Sequence, residues 1–175
     1  MTEFSESTCV PAREGLTLGV DLGAAGAVSL LDREGHLLAV RDLPCLDDGP
    51  RARPTVSASG FAEIVREWRP ERAIVEYVSS RPTDSAVSAF AFGMARATVM
   101  STLEVLGVSA TFITVPTWKR AVGIGAGRGQ KSTARAEATR RWPQHAATFA
   151  RARDDGRAEC ALIGLAGIMR ERGER

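Results

Sequence analysis

Short apolar runs open this chain, and helical spacings follow them. Leu16 to Asp21 is an apolar run that closes on an acid; Ala27 to Leu31 and Leu37 to Val40 are two more, parted by Asp32-Arg33-Glu34-Gly35. Runs of this length between turn residues read as strands, so the three predict an antiparallel meander whose second and third members form a hairpin. Pro44 to Ala58 is rich in Pro, Asp, Arg and Ser and reads as a mobile loop. Phe61, Ile64, Val65 and Trp68 then fall at i, i+3, i+4 and i+7, which predicts a helix from near Ser59 that stops before Pro70. Arg72 to Val78 reads as a buried strand, and Ser79-Ser80-Arg81-Pro82 breaks the chain after it.

The second half is more helical. Ser85 to Leu106 predicts a long helix ending at Gly107, crowded with small residues: Ala86, Ala89, Ala91, Gly93, Ala95 and Ala97. Such a face allows close backbone approach, to the sheet or to a second subunit. Val108 to Val115 is another strand, Pro116 opens a short helix, and Gly123 to Gly129 is a glycine-rich loop. Helices over Lys131 to Trp142 and Asp155 to Glu171 complete the chain. Three meander strands followed by strands that alternate with helices predict an α/β fold, a mixed five-stranded sheet with helices on both faces.

Composition adds bounds. The 175 residues suit one compact domain, read as a polar tail over 1–14 and a single domain over 15–172. The start lacks the apolar core of a signal peptide, and the run Cys160 to Met169 is too short to cross a bilayer, so no membrane association is expected. Cys9, Cys45 and Cys160 are scattered, which suits free thiols in a reducing, cytoplasmic setting.

Charge changes the picture more. The net charge is only +2, yet from Pro116 to Arg153 nine cations (Lys119, Arg120, Arg128, Lys131, Arg135, Arg140, Arg141, Arg151, Arg153) face one acid, Glu137. So one-sided a field suggests a polyanionic partner, although an arginine-rich chain produces basic stretches without one.

The acids at strand ends carry the candidate chemistry. Asp21 closes the first strand, where it also reads as a turn residue. Glu76 interrupts an apolar strand, and an ionised acid there needs a partner or a cation unless it faces solvent. Asp155 and Glu159 stand four apart on one helix face, like charges whose repulsion a bound dication would reverse; Asp155 also reads as a helix cap, and Asp154 is its substitute if the register slips by one. Carboxylates without His or Cys form a hard-oxygen site for Mg²⁺ or Mn²⁺, and a pair of such ions suits in-line phosphate displacement. His36 and His145 lie in a hairpin and a loop, and no Ser-His-Asp or Cys-His arrangement is suggested.

Taken in order, these blocks resemble the RuvC-type Holliday-junction resolvases of the ribonuclease H-like superfamily. The likeness is carried by Gly19-Val20-Asp21-Leu22-Gly23, Ala73-Ile74-Val75-Glu76 and Asp155-Gly156-Arg157-Ala158-Glu159, three acidic blocks in the family's order and spacing. Gly93-Met94-Ala95-Arg96 is similar to its small-residue helix, and Pro116-Thr117-Trp118-Lys119, Val122-Gly123-Ile124-Gly125 and Lys131-Ser132 to its DNA-contact segment. The resemblance implies a ribonuclease H-like fold, a homodimer, and Asp21, Glu76, Asp155 and Glu159 as ligands of two Mg²⁺ ions, with Mn²⁺ able to substitute. It implies symmetric nicking of four-way or branched DNA, leaving 5′-phosphate and 3′-hydroxyl ends, with Lys119 and Lys131 on the DNA backbone and Arg81, Arg120, Arg128 and Arg135 as further DNA contacts. Two departures stand out. Cellular members carry an aromatic wedge where this chain has Ser79, and Tyr77 would point to the opposite strand face. The Asp-x-x-x-Glu pair is wider than theirs and looks more like phage-encoded relatives.

Other readings compete. The run from Gly125 to Ser132 resembles a P-loop, but Gln130 stands where the second glycine belongs, so no nucleotide cofactor is expected. Asp21-Leu22-Gly23 also suits sugar kinases and actin-like ATPases, which need two such domains. An RNA-processing nuclease of the same fold, or a non-catalytic DNA-binding module, would share much of the pattern.

Overall fold

The computed structural model describes residues 14–22, 26–47, 54–77, 85–125 and 131–174. Three strands come first: β1 (Thr17–Asp21), β2 (Ala27–Leu31) and β3 (Leu37–Asp42). A two-residue ladder, β4 (Cys45–Leu46) with β5 (Thr55–Val56), leads into α1 (Ala58–Trp68). Then follow β6 (Arg72–Tyr77), α2 (Ala86–Val105), β7 (Ser109–Thr114), α3 (Val115–Ala121), α4 (Lys131–Arg141) and α5 (Asp155–Glu171). Two 3₁₀ turns, Pro143–Phe149 and Ala152–Asp154, join α4 to α5. The tail over 1–13, Ser79, Arg81, Arg128 and most of the glycine-rich loop fall outside the described residues.

The sheet order is β3-β2-β1-β6-β7, with β1–β2 and β2–β3 antiparallel and β1–β6 and β6–β7 parallel. This is the expected mixed sheet. The meander hairpin closes on Gly35, whose φ of 89° suits a glycine, while Asp32 accepts from the His36 backbone N–H at 2.8 Å. Within the segment expected to be a loop over 44–58, the described residues Cys45 and Leu46 pair with Val56 and Thr55 as the β4–β5 ladder, a pairing too short to leave a periodic signal.

Alternation along the strands divides the core in two. Leu18, Val20, Ala73 and Val75 face α1 and α2, with Phe61, Trp68, Val99 and Leu103. Ile74 and Ile113 face the other side, with Trp118, Trp142, Phe149 and the apolar residues of α5. Only the C-terminal part of α2 is buried, through Val99 and Leu103, while Phe90, Met94 and Val105 are exposed. The small-residue face therefore lies open along much of its length, and Gly93 has no neighbour within 4 Å of an added Cβ. By length and composition α2 could also cross a bilayer, though one such helix is weak support for that and its inner stripe lies in the core.

On the second side α5 lies almost against the backbone of β1. A Cβ at Gly19 would come within 2.2 Å of the Cys160 carbonyl oxygen, and one at Gly167 within 2.4 Å of Ile74. Ser29 Oγ donates to the same Cys160 oxygen at 2.9 Å. Two ion pairs fix the direction of α5: Arg72, at the start of β6, meets Glu171 at the helix end, and Asp42, closing β3, meets Arg157 at the helix start. The helix thus runs antiparallel to β1 and β6, with its N-terminus at the carboxyl edge of the sheet.

Gly19→Ala should lower unfolding stability by about 3 kcal/mol or more, because the clashing atom is backbone and cannot rotate away. Gly93→Ala, a helix-favouring change in open space, should raise it by about 0.5–1 kcal/mol. Urea unfolding of both variants checks the pair, and equal midpoints would contradict the close approach.

Candidate active site

Asp21 is the last residue of β1 and is buried at 4% exposure. It follows Gly19 by two residues and so faces α5. Glu76, in β6, follows Ile74 by two and faces the same way at 8% exposure. The parallel register pairs Val20 with Val75, so these acids occupy neighbouring positions one step further on, at the carboxyl edge. Asp155 and Glu159 lie in the first turns of α5, which the Arg157–Asp42 ion pair holds at that same edge. Cys160 ties the two sides together: burial pushes its thiol well above the ordinary value, and the Asp21 charge adds to the rise.

Each acid is held differently. The fully buried Trp118, on α3, donates its Nε1–H to Glu76 Oε1 at 2.9 Å. Burial pushes the Glu76 carboxyl above its ordinary value, and the indole bond and the Lys119 charge draw it only part of the way back. Arg135 Nε, on α4, donates to Asp155 Oδ1 at 2.8 Å, both side chains being part-buried. Arg135, which the sequence assigns to DNA contact, also faces an acid in the folded chain, a pairing between residues 20 apart that no local pattern announces.

Asp154 and Asp155 separate cleanly. Asp154 is 1% exposed and accepts from the Arg151 backbone N–H at 2.9 Å, from the Arg151 guanidinium at 2.8 Å, and lies 3.7 Å from Arg157. Those partners, the Arg151 hydrogen bond above all, lower its carboxyl to about 2. Asp154 is therefore committed to tying the 3₁₀ turn to the start of α5. Asp155, one residue on, is part-exposed and paired with Arg135.

The four edge acids share one end and one face but are not drawn to a point. Among the described residues, the group of three ligand-type side chains with donor atoms all within 4.8 Å is Asp32, Glu34 and His36. That group sits in the β2–β3 turn at the opposite end of the sheet, and the Asp32 carboxylate already accepts from His36 Nδ1 at 2.8 Å. It is explained as turn chemistry.

Around the edge acids the surface is basic. Lys119 and Arg120 lie on α3, with Lys119 Nζ 5.3 Å from the Trp118 ring centroid and Arg120 exposed. Lys131 opens α4. Arg140 and Arg141 both pair with Glu137 and are partly neutralised. On the opposite face of β6, Tyr77 meets Phe112 edge-on at 5.7 Å beneath the Arg96 guanidinium, so it points away from the acids as the strand alternation requires.

This architecture has known counterparts. A RuvC structure from T. thermophilus in complex with a Holliday junction substrate superposes with a TM-score of 0.65 over 90% of this chain and 96% of that one. The fold is the RuvC fold. A second Thermus thermophilus RuvC structure gives 0.61 with the same coverage. Identity to the two is only 17% and 18%, and neither a protein-family model nor a curated protein sequence matches the chain. The likeness to these two structures is thus one of fold, at low sequence identity.

Asp154→Asn should cost about 1–2 kcal/mol at neutral pH, less than the shift alone implies because Arg151 is half-exposed and screened. The lowered carboxyl contributes fully above its ordinary 3.8 and loses its contribution as pH falls towards 2. The gap between the denaturant midpoints of variant and parent should therefore be narrower at pH 2.5 than at pH 7; an unchanged gap would contradict the ion pair.

Proposed function

We propose that this chain is a Mg²⁺-dependent endonuclease that resolves four-way DNA junctions, acting in the cytoplasm as a homodimer. One observation carries the reading: the RuvC fold, nearly complete in both directions, has acids at the ends of β1 and β6 and at the start of α5 on one face of one edge. The exposed Phe90, Met94 and Val105 on α2 support a second copy covering that helix.

Asp21, Glu76, Asp155 and Glu159 would hold the metal. The set fits by its chemistry, since it offers carboxylate oxygens alone, the donors Mg²⁺ prefers. Bound there, a pair of ions supplies activation of the attacking water and neutralisation of the leaving oxygen in an in-line displacement. The chain's own part is placement. The sheet edge fixes Asp21 and Glu76, the α5 start presents Asp155 and Glu159, and Lys119, Arg120, Arg135 and Lys131 offer cations to the phosphate backbone around the scissile bond. Arg81 and Arg128 complete the proposed DNA contacts. Cleavage leaves a 5′-phosphate and a 3′-hydroxyl.

With Mg²⁺, the purified chain should nick a synthetic four-way junction at two opposed positions and leave linear duplex largely intact. Glu76→Gln should reduce cleavage by roughly 10²–10³-fold while junction binding persists, because the amide is a poor Mg²⁺ ligand but the basic surface is unaltered. Wild-type cutting by the variant, or parallel loss of binding, would overturn the assignment. Lys119→Ala and Lys131→Ala should each flatten the salt dependence of junction binding by about one phosphate contact.

A further inference from the structure

We propose that Trp118 is a positioning residue for Glu76, its indole N–H fixing one carboxylate oxygen so that the carboxylate meets a divalent cation preset. The inference rests on the endonuclease reading above.

The geometry is specific. Trp118 is fully buried on α3, which leaves the carboxyl end of β7 directly, and its Nε1–H lies 2.9 Å from Glu76 Oε1. A buried indole N–H needs an acceptor, and it carries a single hydrogen, so it can engage one oxygen of the carboxylate at a time. The packing of the ring among Ile113, Val122 and the α5 core leaves it little freedom, so the donor is rigid. The bond restrains rotation of the Glu76 carboxylate.

Charge decides why an indole suits this place. A guanidinium, such as Arg135 on Asp155, neutralises the acid it orients and must be displaced before a cation can take the full charge. The indole is neutral. It orients Glu76 while leaving the negative charge intact, as the outer partners of metal-binding carboxylates do. Trp118 is also adjacent to Lys119, whose ammonium lies over the ring. A single turn of α3 thus joins a proposed DNA contact to a proposed metal ligand.

The test uses the full-length chain, Mg²⁺ alone and ¹H–¹⁵N spectra of its three tryptophan indoles, with Trp118→Phe identifying the resonance. In the parent chain Mg²⁺ should shift the Trp118 indole signal but not that of Trp142, whose N–H donates to the Gly35 carbonyl at the far hairpin. The shift should vanish in Glu76→Gln. Trp118→Phe should bind Mg²⁺ about 10–100-fold more weakly, and extra Mg²⁺ should restore its junction cleavage, a rescue that Glu76→Gln should not show. A folded Trp118→Phe with the parent's Mg²⁺ midpoint would overturn the inference. If that variant fails to fold, the parent's indole signal decides, and silence there while other resonances answer Mg²⁺ overturns it equally. If no resonance of the parent chain responds to Mg²⁺, the endonuclease reading falls and this inference with it.

Discussion

The close approach of α5 to β1 is the constraint on which the other features depend. Gly19 removes the side chain that would strike the Cys160 carbonyl, and Gly167 gives room to Ile74. With no Cβ between them, helix and strand can pack backbone to backbone, and the Ser29 hydroxyl bonds the helix carbonyl across the gap. A larger spacing would lift the start of α5 away from the sheet edge, taking Asp155 and Glu159 from the neighbourhood of Asp21 and Glu76. Because interiors are close-packed, one methyl group at position 19 is enough to disturb the arrangement.

Electrostatics then sets the character of that edge. Buried or half-buried acids lie at one end, and three of them have local partners: Glu76 a neutral donor, Asp155 the Arg135 guanidinium, Asp154 both Arg151 and Arg157. The segment that follows β7 folds back on this edge, where Trp118 meets Glu76 and Arg135 meets Asp155. That segment has two duties, to balance buried carboxylates and to present cations outward. Glu137 takes up Arg140 and Arg141, while Lys119 and Arg120 on α3 remain on the surface.

The exposed α2 face is the complementary feature. Val99 and Leu103 are the fully buried side chains of this apolar helix among the described residues, with Met100 packed beside them, while Phe90 and Met94 are exposed. Its exposed apolar side chains form the kind of surface that a further protein surface can cover.

Much of this was legible in the sequence. The strand runs, the helix of Phe61, Ile64, Val65 and Trp68, and the bounds of α5 follow from local periodicity, because burial imposes a repeat of two or of 3.6 residues directly on residue order. The acids at strand ends could likewise be named, since a charge closing or interrupting an apolar strand is conspicuous. Pairings between distant residues were not legible. The β4–β5 ladder is two residues long, and Arg135 chooses Asp155 over solvent only once α4 and α5 have packed. Trp118 gave one usable signal, a large buried-type side chain in a basic stretch whose N–H must find an acceptor. That the acceptor is Glu76, 42 residues earlier, follows only from the parallel β6–β7 pairing that sets α3 beside it. Residue order determined the elements and their chemistry; only the packed sheet decided which charges meet, because contact energies act through space and leave no period along the chain.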